Sequence, residues 1–208
     1  MSLTIALAKG KLLAGTEALF GRAGLPFPNG DGRKLVIEAG DLRFLLVKDV
    51  DVPTYVEHGV ADCGIVGRDV LLEAIPDVYE PLDLRFGHCR LSVARPVGAD
   101  LNPRRATTLR VGTKYPRVST GYFLGHGISA DIVPLSGSVE IAPVLGLADC
   151  IVDVVETGRT LRENGLEVVE DVATSTARLI VNRASFHTRR ESVGKLLAAL
   201  EGALERPR

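Results

Sequence analysis

The sequence predicts an α/β protein with two lobes. Short apolar runs rich in β-branched residues alternate with longer segments whose apolar residues recur at helical spacing, which is typical of sheets covered by helices. Two further strand-like runs, at 87–95 and 177–183, enclose a stretch at 110–176 that carries strands and helices of its own. We therefore expect the chain to cross between the lobes at these two runs.

The expected boundaries of the lobes follow from those crossovers. Lobe I consists of residues 1–88 together with 181–208, and lobe II consists of residues 89–180. A chain of 208 residues, of which 46% are hydrophobic, is long enough to give each lobe a core of its own. We expect the active site in the cleft between the lobes.

Composition excludes several classes of protein. A net charge of −1 with dispersed basic residues argues against duplex nucleic acid and acidic membrane surfaces as partners. No basic residue precedes the very short apolar run at 3–8, so we expect neither a signal peptide nor a membrane span there, and we expect a cytoplasmic protein. Cys63, Cys89 and Cys150 are far apart and the histidines are scattered, which predicts buried, reduced thiols and no metal cluster.

The first predicted element is a strand at 4–8, and it ends directly in Lys9, Gly10 and Lys11 before a helical pattern that runs to Phe20. Cations and free N–H groups at this position face the carboxyl edge of the sheet, where α/β proteins bind ligands. The alternative is that both lysines are only solvated.

Arg33, the next candidate cation, precedes an apolar run at 35–38 and can be the charged edge of a strand. A further strand is predicted at 43–48. It leads into a helix that has Asp51 as its N-cap and Pro53 in its first turn, a position that proline tolerates.

The stretch at 60–73 predicts the end of that helix, a short buried strand and a glycine turn that opens another helix at Asp69. A helix followed by D-x-G-I-x-G is also found in periplasmic-binding-protein-like folds. This block therefore predicts the fold more strongly than it predicts the chemistry.

In the second lobe, a strand at 109–113 is followed by Lys114, Tyr115 and Arg117. The ring of Tyr115 offers a face on which adenine can stack, and the two cations could hold a nucleotide phosphate. An ordinary Tyr-Pro turn is the alternative.

A strand at 130–135 is followed by a predicted helix start with Ser136 or Ser138 as its cap and Glu140 in its first turn. A carboxylate is favourable there because of the helix dipole, so a structural role alone accounts for Glu140. At the other end of the chain, apolar residues at helical spacing predict a closing amphipathic helix over 191–205, packed on lobe I.

The stretch from 148 to 161 predicts a buried strand, interrupted by Asp153, that leads into a loop of small, hydroxylated and charged residues. The residues of this loop are Glu156, Thr157, Gly158, Arg159 and Thr160. Such a loop can point several backbone N–H groups at one anion. It is not a P-loop, because Gly-Lys-Ser/Thr is absent. An ordinary corner, with Thr157 or Thr160 as a helix N-cap, remains the alternative.

Three blocks of the sequence resemble ATP phosphoribosyltransferases, and they occur in the same order as in that family. They are D-V-P-T-Y-V-E-x-G-x-A-D-x-G-I-V-G-x-D-x-L-x-E at 51–73, G-S-V-E-x-A-P at 137–143 and D-x-V-E-T-G-x-T-L at 153–161. The last block is similar to the loop that binds phosphoribosyl pyrophosphate (PRPP). The resemblance implies a type II periplasmic-binding-protein-like fold and the reaction of ATP with PRPP that opens histidine biosynthesis.

The resemblance also implies roles for individual residues. The cations that neutralise the leaving pyrophosphate are Lys9, Lys11, Arg33 and Lys48. Mg²⁺ is carried on the pyrophosphate, and no protein side chain is assigned as a metal ligand. PRPP-binding residues are Glu140 and Asp153 at the ribose, Thr157, Gly158, Arg159 and Thr160 at the 5-phosphate, and also Glu156. ATP-binding residues are Gly10, Asp69, Lys114, Tyr115 and Arg117.

One departure from the family concerns the corner before 51–73. Lys48 stands where the family often has arginine, and Val50 stands where it often has a basic residue. Lysine keeps the charge but lacks the bidentate fork of a guanidinium.

The chain stops at Arg208, soon after the closing helix, and in this it resembles the short form of the family. This form implies a homodimer or larger core and a separate regulatory subunit that resembles histidyl-tRNA synthetase, with histidine inhibition residing in the complex. A non-catalytic cytoplasmic ligand-binding or sensor module of the same fold is the alternative function.

Overall fold

The structure is a computed structural model, and it describes residues 3–28, 34–99 and 108–205. The fold is mixed α/β, as predicted. The strands are β1 (Leu3–Ala8), β2 (Val36–Ala39), β3 (Leu42–Val47), β4 (Cys63–Gly67), β5 (Val78–Asp83), β6 (Cys89–Pro96), β7 (Leu109–Thr113), β8 (Ala130–Pro134), β9 (Cys150–Val155), β10 (Leu166–Ser175) and β11 (Ala177–Asn182). The helices are α1 (Lys11–Ala23), α2 (Val52–Glu57), α3 (Arg68–Ala74), α4 (Pro116–Gly125), α5 (Ile141–Val144), α6 (Arg159–Glu163), α7 (Arg183–Thr188) and α8 (Arg190–Glu205).

The chain forms two compact units with one sheet each. The first unit comprises Met1–His88 and Thr176–Arg208, and the second comprises Cys89–Ser175. The second unit thus ends at Ser175, whereas lobe II was expected to end at residue 180. The reason is that β11 hydrogen-bonds to β4 and β5 and is therefore part of the first sheet.

The first sheet has the strand order β2-β3-β1-β4-β11-β5. Strand β1 runs parallel to both of its neighbours, with Ala8 opposite Val47 of β3 and Leu7 opposite Ile65 of β4. Because parallel strands end at the same edge of a sheet, the segments that follow β1, β3 and β4 lie along one edge.

Strand β1 is buried on both faces of the first sheet, which explains its uninterrupted apolar sequence. Ile5 and Leu7 pack with apolar residues of α1 and α8 on one face. Ala6 and Ala8 pack with residues of α2 and α3 on the other face. The predicted closing helix is confirmed as α8, and its buried residues belong to the same cluster as Ile5.

The second sheet has the strand order β10-β6-β9-β7-β8. Strand β7 runs parallel to β8 and β9, with Thr113 opposite Pro134 and Val152, whereas β6 is antiparallel to β9 and β10. The segments after β7, β8 and β9 therefore share one edge of this sheet.

Four strands and α-helices were not predicted, namely β5, α4, β10 and α7. Strand β10 lies at the edge of its sheet and is mostly exposed, and its register with β6 shifts between Val168 and Glu170 and again between Asp171 and Ala173. A strand of this kind has neither a continuous apolar run nor a regular alternation, so the pattern that identifies β1 is missing from its sequence.

Asp51 is the N-cap residue of α2, as predicted, whereas the predicted serine caps of the helix after β8 are wrong. Asp51 ends a 3₁₀ turn, Asp49–Asp51, and makes no side-chain hydrogen bond to the start of α2. Helix α5 starts only at Ile141, because the chain turns at Ser138, whose φ is 47°. Its N-cap position is occupied by Glu140, again without a side-chain cap, so neither predicted serine caps it.

Within the described ranges, no helix is long and apolar enough to cross a membrane.

A buried carboxylate joins four segments of the first unit. Asp62, which is 6% exposed, accepts hydrogen bonds from the Thr4 N–H at 2.8 Å and the Ser185 hydroxyl at 2.7 Å. Its Oδ1 atom also lies 3.1 Å from Nε of Arg189. The side chain of Asn182 accepts the Ser185 N–H at 3.0 Å, so the start of α7 is held from two sides.

We predict that Asp62→Ala destabilises the protein by about 3 kcal/mol, since each of two hydrogen bonds to a carboxylate contributes about 1.5 kcal/mol. Urea unfolding followed by circular dichroism measures this change. Glu201→Ala, which removes an exposed carboxylate from α8, serves as the control and should leave the midpoint nearly unchanged. An unchanged midpoint for Asp62→Ala would show that the network adds no stability.

Candidate active site

Positive side chains gather at the carboxyl edge of the first sheet. Lys9 follows β1 and Lys48 follows β3, and the main chain ties them together because the N–H of Lys9 donates to the carbonyl of Val47 at 2.9 Å. Lys11 opens α1 next to them, and all three lysines are exposed. Arg33, the fourth predicted cation, lies outside the described residues.

The turn from β1 into α1 depends on Gly10. This residue has φ 105° and ψ −135°, a conformation open essentially only to glycine, and its carbonyl accepts the N–H of Leu13 at 3.1 Å. The glycine therefore allows the chain to enter the helix directly after Lys9. Contact between Gly10 and ATP remains a prediction.

At the same edge, Asp69 lies in the first turn of α3, one residue after the exposed Arg68. Only 9% of its surface is exposed. A nucleotide could reach little of this side chain as it stands, so its predicted contact with ATP has less support here than the contact predicted for the lysines.

The carboxyl edge of the second sheet carries the nucleotide and PRPP candidates together. Lys114 and Tyr115 follow β7, the segment that contains Glu140 follows β8, and the loop that begins at Glu156 follows β9. Lys114 and Arg117 are exposed and Tyr115 is half-buried.

Asp153 lies on the same face of the second sheet as the segment before Glu140. Side chains alternate along a strand, so Asp153 shares a face with Ile151 and Val155, which pack against Val139. Asp153 is half-buried, and its Oδ1 accepts the N–H of Val154 at 2.8 Å. Both carboxylates predicted to hold the ribose are thus placed beside the loop after β9.

The loop after β9 turns at Gly158, which has φ 70° and ψ 10° and forms the N-cap of α6. The alternative in which Thr157 or Thr160 is the N-cap is therefore wrong. The Thr157 hydroxyl instead accepts the N–H of Arg159 at 3.4 Å. Helix α6 begins at Arg159.

Arg162 was not predicted as a site residue, although its side chain hydrogen-bonds to the main chain of this loop. Its Nη1 donates to the carbonyl of Thr157 at 3.1 Å. In a trans peptide the C=O and N–H groups point in opposite directions, so this contact turns the N–H of Gly158 away from Arg162. The only sequence signal for this contact is a basic residue within the short helix that follows the loop.

Two of the cysteines, Cys63 and Cys150, are poor nucleophiles. Burial, with a further contribution from the Asp149 carboxylate, raises the pKa of the Cys150 thiol to about 12. Burial and Asp62 raise the pKa of Cys63 to about 12 as well. Both groups stay protonated at neutral pH, and a thiol is a poor nucleophile compared with its thiolate. Cys63 and Cys150 are buried as predicted, whereas Cys89 is half-buried.

Among the residues that the structure describes, no group of three or more His, Cys, Asp or Glu side chains is placed to hold a metal ion. Each sheet edge offers cations or backbone donors beside strand ends. These features are typical of one class of protein, the α/β proteins that bind phosphorylated ligands at the ends of their strands.

Comparison with known proteins identifies the family. The chain matches the family described as "HisG: ATP phosphoribosyltransferase" over residues 48–202. The ATP phosphoribosyltransferase of Citrifermentans bemidjiense is 48% identical over 205 residues, which cover 96% of this chain and 97% of the relative. That of Symbiobacterium thermophilum is 48% identical over 213 residues, which cover 98% and 96%.

A solved structure agrees with the sequence relatives. A chain of the ATP phosphoribosyl transferase (HisG:HisZ) complex from Thermotoga maritima matches with a TM-score of 0.86 at 36% identity, with 98% of each chain covered. This chain therefore belongs to the ATP phosphoribosyltransferase family, and it is a transferase of the first step of histidine biosynthesis. The predicted two-lobed type II periplasmic-binding-protein-like fold is confirmed.

We predict that Gly158→Val raises the apparent KM for PRPP about tenfold or more, because the side chain forces the loop out of shape. A Cβ at this position would lie 3.2 Å from Nη1 of Arg162, and a β-branched residue disfavours φ 70°. Loss of one hydrogen bond to a charged phosphate corresponds to about a tenfold weaker interaction.

Gly165→Val is the matched control for this prediction. Gly165 follows the other end of α6 and has φ 69°, and a Cβ added there would meet no atom of the described residues within 4 Å. Gly165→Val therefore places valine at the same unfavourable positive φ as Gly158→Val, but outside the loop. Steady-state kinetics should show a raised KM for PRPP only in Gly158→Val. Equal values in the two variants would contradict the assignment of the loop.

Proposed function

We propose that this chain joins N1 of the adenine ring of ATP to C1 of PRPP, with inversion at C1 and release of pyrophosphate. The observation that carries the proposal is the conformation of the loop from Glu156 to Thr160. In this loop Gly158 adopts the left-handed conformation, and Arg162 donates a hydrogen bond to the carbonyl of Thr157. In this proposal the N–H of Gly158, which the contact between Arg162 and Thr157 turns away from Arg162, would donate to the 5-phosphate of PRPP.

Charge development at the reacting bond explains the need for the lysines. As the bond from C1 to pyrophosphate breaks, the leaving oxygens become more negative. Lys9, Lys11 and Lys48, with Arg33, would neutralise this charge, and preorganised charges of this kind often contribute about 100-fold or more to the rate. Parallel pairing of β1 and β3 places Lys9 and Lys48 side by side before substrate binds.

The ribose and the adenine ring would be held by the second unit. Asp153 and Glu140 would accept hydrogen bonds from ribose hydroxyls, while Tyr115 would stack on adenine and Lys114 and Arg117 would meet phosphates of ATP. The attacking ring nitrogen already has a free lone pair, so no residue is assigned as a general base. Two buried thiols with a raised pKa are in keeping with a reaction that needs no covalent nucleophile.

We assign Mg²⁺ to the substrate and not to a protein cage. Mg²⁺ commonly keeps several waters and binds through substrate phosphates with only one or two carboxylates. When bound, the ion would withdraw charge from the pyrophosphate, and the protein's part would be to bind and orient that group through the lysines.

The decisive experiment is to incubate the purified chain with ATP, PRPP and Mg²⁺ and to follow pyrophosphate release and the formation of N1-(5-phosphoribosyl)-ATP. Pyrophosphate should appear only when both substrates are present. Binding of either substrate without product would instead indicate the non-catalytic binding module.

We predict that Lys48→Ala lowers kcat about 100-fold and leaves the Kd for ATP nearly unchanged, because the lysine charge matters most while the bond breaks. Lys48→Arg should keep most of the activity, since arginine retains the charge. Lys195→Ala serves as the control, because this exposed lysine of α8 pairs with Glu191 of the same helix, at 2.7 Å. A loss confined to ATP binding would contradict the assigned role.

We further propose a homo-oligomeric core, a dimer or larger, that joins a regulatory subunit resembling histidyl-tRNA synthetase. The support is the similarity to a chain from the HisG:HisZ complex, of which 98% is covered. The substrates ATP and PRPP are intracellular metabolites, so we place the enzyme in the cytoplasm.

We predict that histidine inhibits the hetero-oligomer and leaves the isolated chain unaffected, because such coupling needs a second site and two states with different affinities. Activity should be measured across a histidine titration with and without the partner. Potent, non-competitive inhibition of the isolated chain would overturn the proposal.

A further inference from the structure

We propose that Thr113 is a positioning residue, whose buried hydroxyl fixes the place of the ATP-binding loop relative to the strand that carries Asp153. The proposal rests on the roles proposed above for Tyr115 and Asp153. Thr113 itself touches no substrate, because it is 0% exposed.

The hydroxyl of Thr113 uses all of its hydrogen-bonding capacity within the second unit. It donates to the carbonyl of Val152 at 2.6 Å and accepts the N–H of Tyr115 at 2.9 Å. The hydroxyl of Ser119, also 0% exposed, donates to it at 3.3 Å. A hydroxyl has one proton and two lone pairs, so these three contacts saturate it.

The three partners belong to three different parts of the proposed site. Val152 immediately precedes Asp153 in β9, Tyr115 begins the loop assigned to ATP, and Ser119 belongs to α4, which follows that loop. The carbonyl of Tyr115 accepts the N–H of Ser119 at 2.9 Å, so both main-chain groups of Tyr115 are bonded. The hydroxyl of Thr113 thus connects the loop that carries Tyr115, proposed to contact adenine, to the strand that carries Asp153, proposed to contact the ribose.

Only a residue with a side-chain hydroxyl reproduces this link at the end of β7. Valine has the same shape but no hydroxyl, and Thr→Val would leave the N–H of Tyr115 and the hydroxyl of Ser119 without their acceptor. Serine keeps the hydroxyl. The pair of substitutions therefore separates the hydrogen bonds from the packing.

A positioning role predicts a specific kinetic effect. Adenine N1 must approach C1 of PRPP in line, and a misplacement of about 1 Å costs about 100-fold in rate even when each substrate still binds. Loss of the Thr113 hydroxyl should therefore lower kcat and leave the KM values for ATP and PRPP almost unchanged.

The test compares Thr113→Val, Thr113→Ser and the wild-type chain in the pyrophosphate-release assay, with circular dichroism at the assay temperature to measure the folded fraction. We expect kcat of Thr113→Val to fall about 10- to 100-fold, with both KM values within about threefold. Thr113→Ser should recover kcat to within about threefold of the wild type.

Thr16→Val is the matched control. Thr16 is 2% exposed, and its hydroxyl donates to the carbonyl of Leu12 at 2.8 Å within α1, so this variant also removes a buried threonine hydroxyl. It should lower the Tm without a change in kcat. A merely structural Thr113 would behave in the same way as Thr16.

The proposal is overturned if folded Thr113→Val keeps the wild-type kcat, or if the fraction of activity that this variant loses equals the fraction of the protein that is unfolded. It is also overturned if Thr113→Ser does not restore activity. If Thr113→Val does not fold, Thr113→Cys replaces it, because a thiol is a weaker donor and acceptor of similar size. An unchanged kcat in folded Thr113→Cys then overturns the proposal. An inactive wild-type chain would instead refute the proposed function, so the two failures are distinguishable.

Discussion

In each unit, the candidate site residues depend for their position on the parallel pairing of three strands in that unit's sheet. Strands β3, β1 and β4 end together in the first unit, and β7, β8 and β9 end together in the second. Helices cover both faces of β1, so the side chains of this strand are apolar on both faces. Polar chemistry is consequently confined to the loops where strands end, and each sheet presents those loops along one edge.

The two edges offer complementary chemistry. The first edge presents flexible ammonium groups, with Lys9 and Lys48 held close by main-chain pairing. The second edge presents oriented main-chain donors at Gly158 and half-buried carboxylates at Glu140 and Asp153. A reaction that separates charge at a sugar carbon needs both kinds of group. It does not need a nucleophile from the protein, and the raised pKa values of the Cys63 and Cys150 thiols are compatible with that.

Sequence patterns predicted the elements whose residues are buried on both faces, such as β1, β4 and β9, because burial leaves a continuous apolar run. They missed β10, whose exposed edge leaves no such run. They also missed Arg162 and Thr113, because one contact runs from a side chain to a main-chain carbonyl and the other joins strands that are distant in sequence. The roles assigned to Lys9, Glu140 and Tyr115 came from resemblance, since lysines, capping acids and turn tyrosines are common without function.

The position of β11 has a consequence for the order in which the protein is made. This strand lies between β4 and β5, yet it leaves the ribosome after the whole second unit. The second unit is contiguous, so it is free to fold during synthesis, whereas the first sheet keeps two unpaired strand edges until Ala177–Asn182 emerges. Ser185 and Arg189, the partners that satisfy Asp62, arrive later still. Completion of the lysine-bearing unit is thus among the last events of biosynthesis.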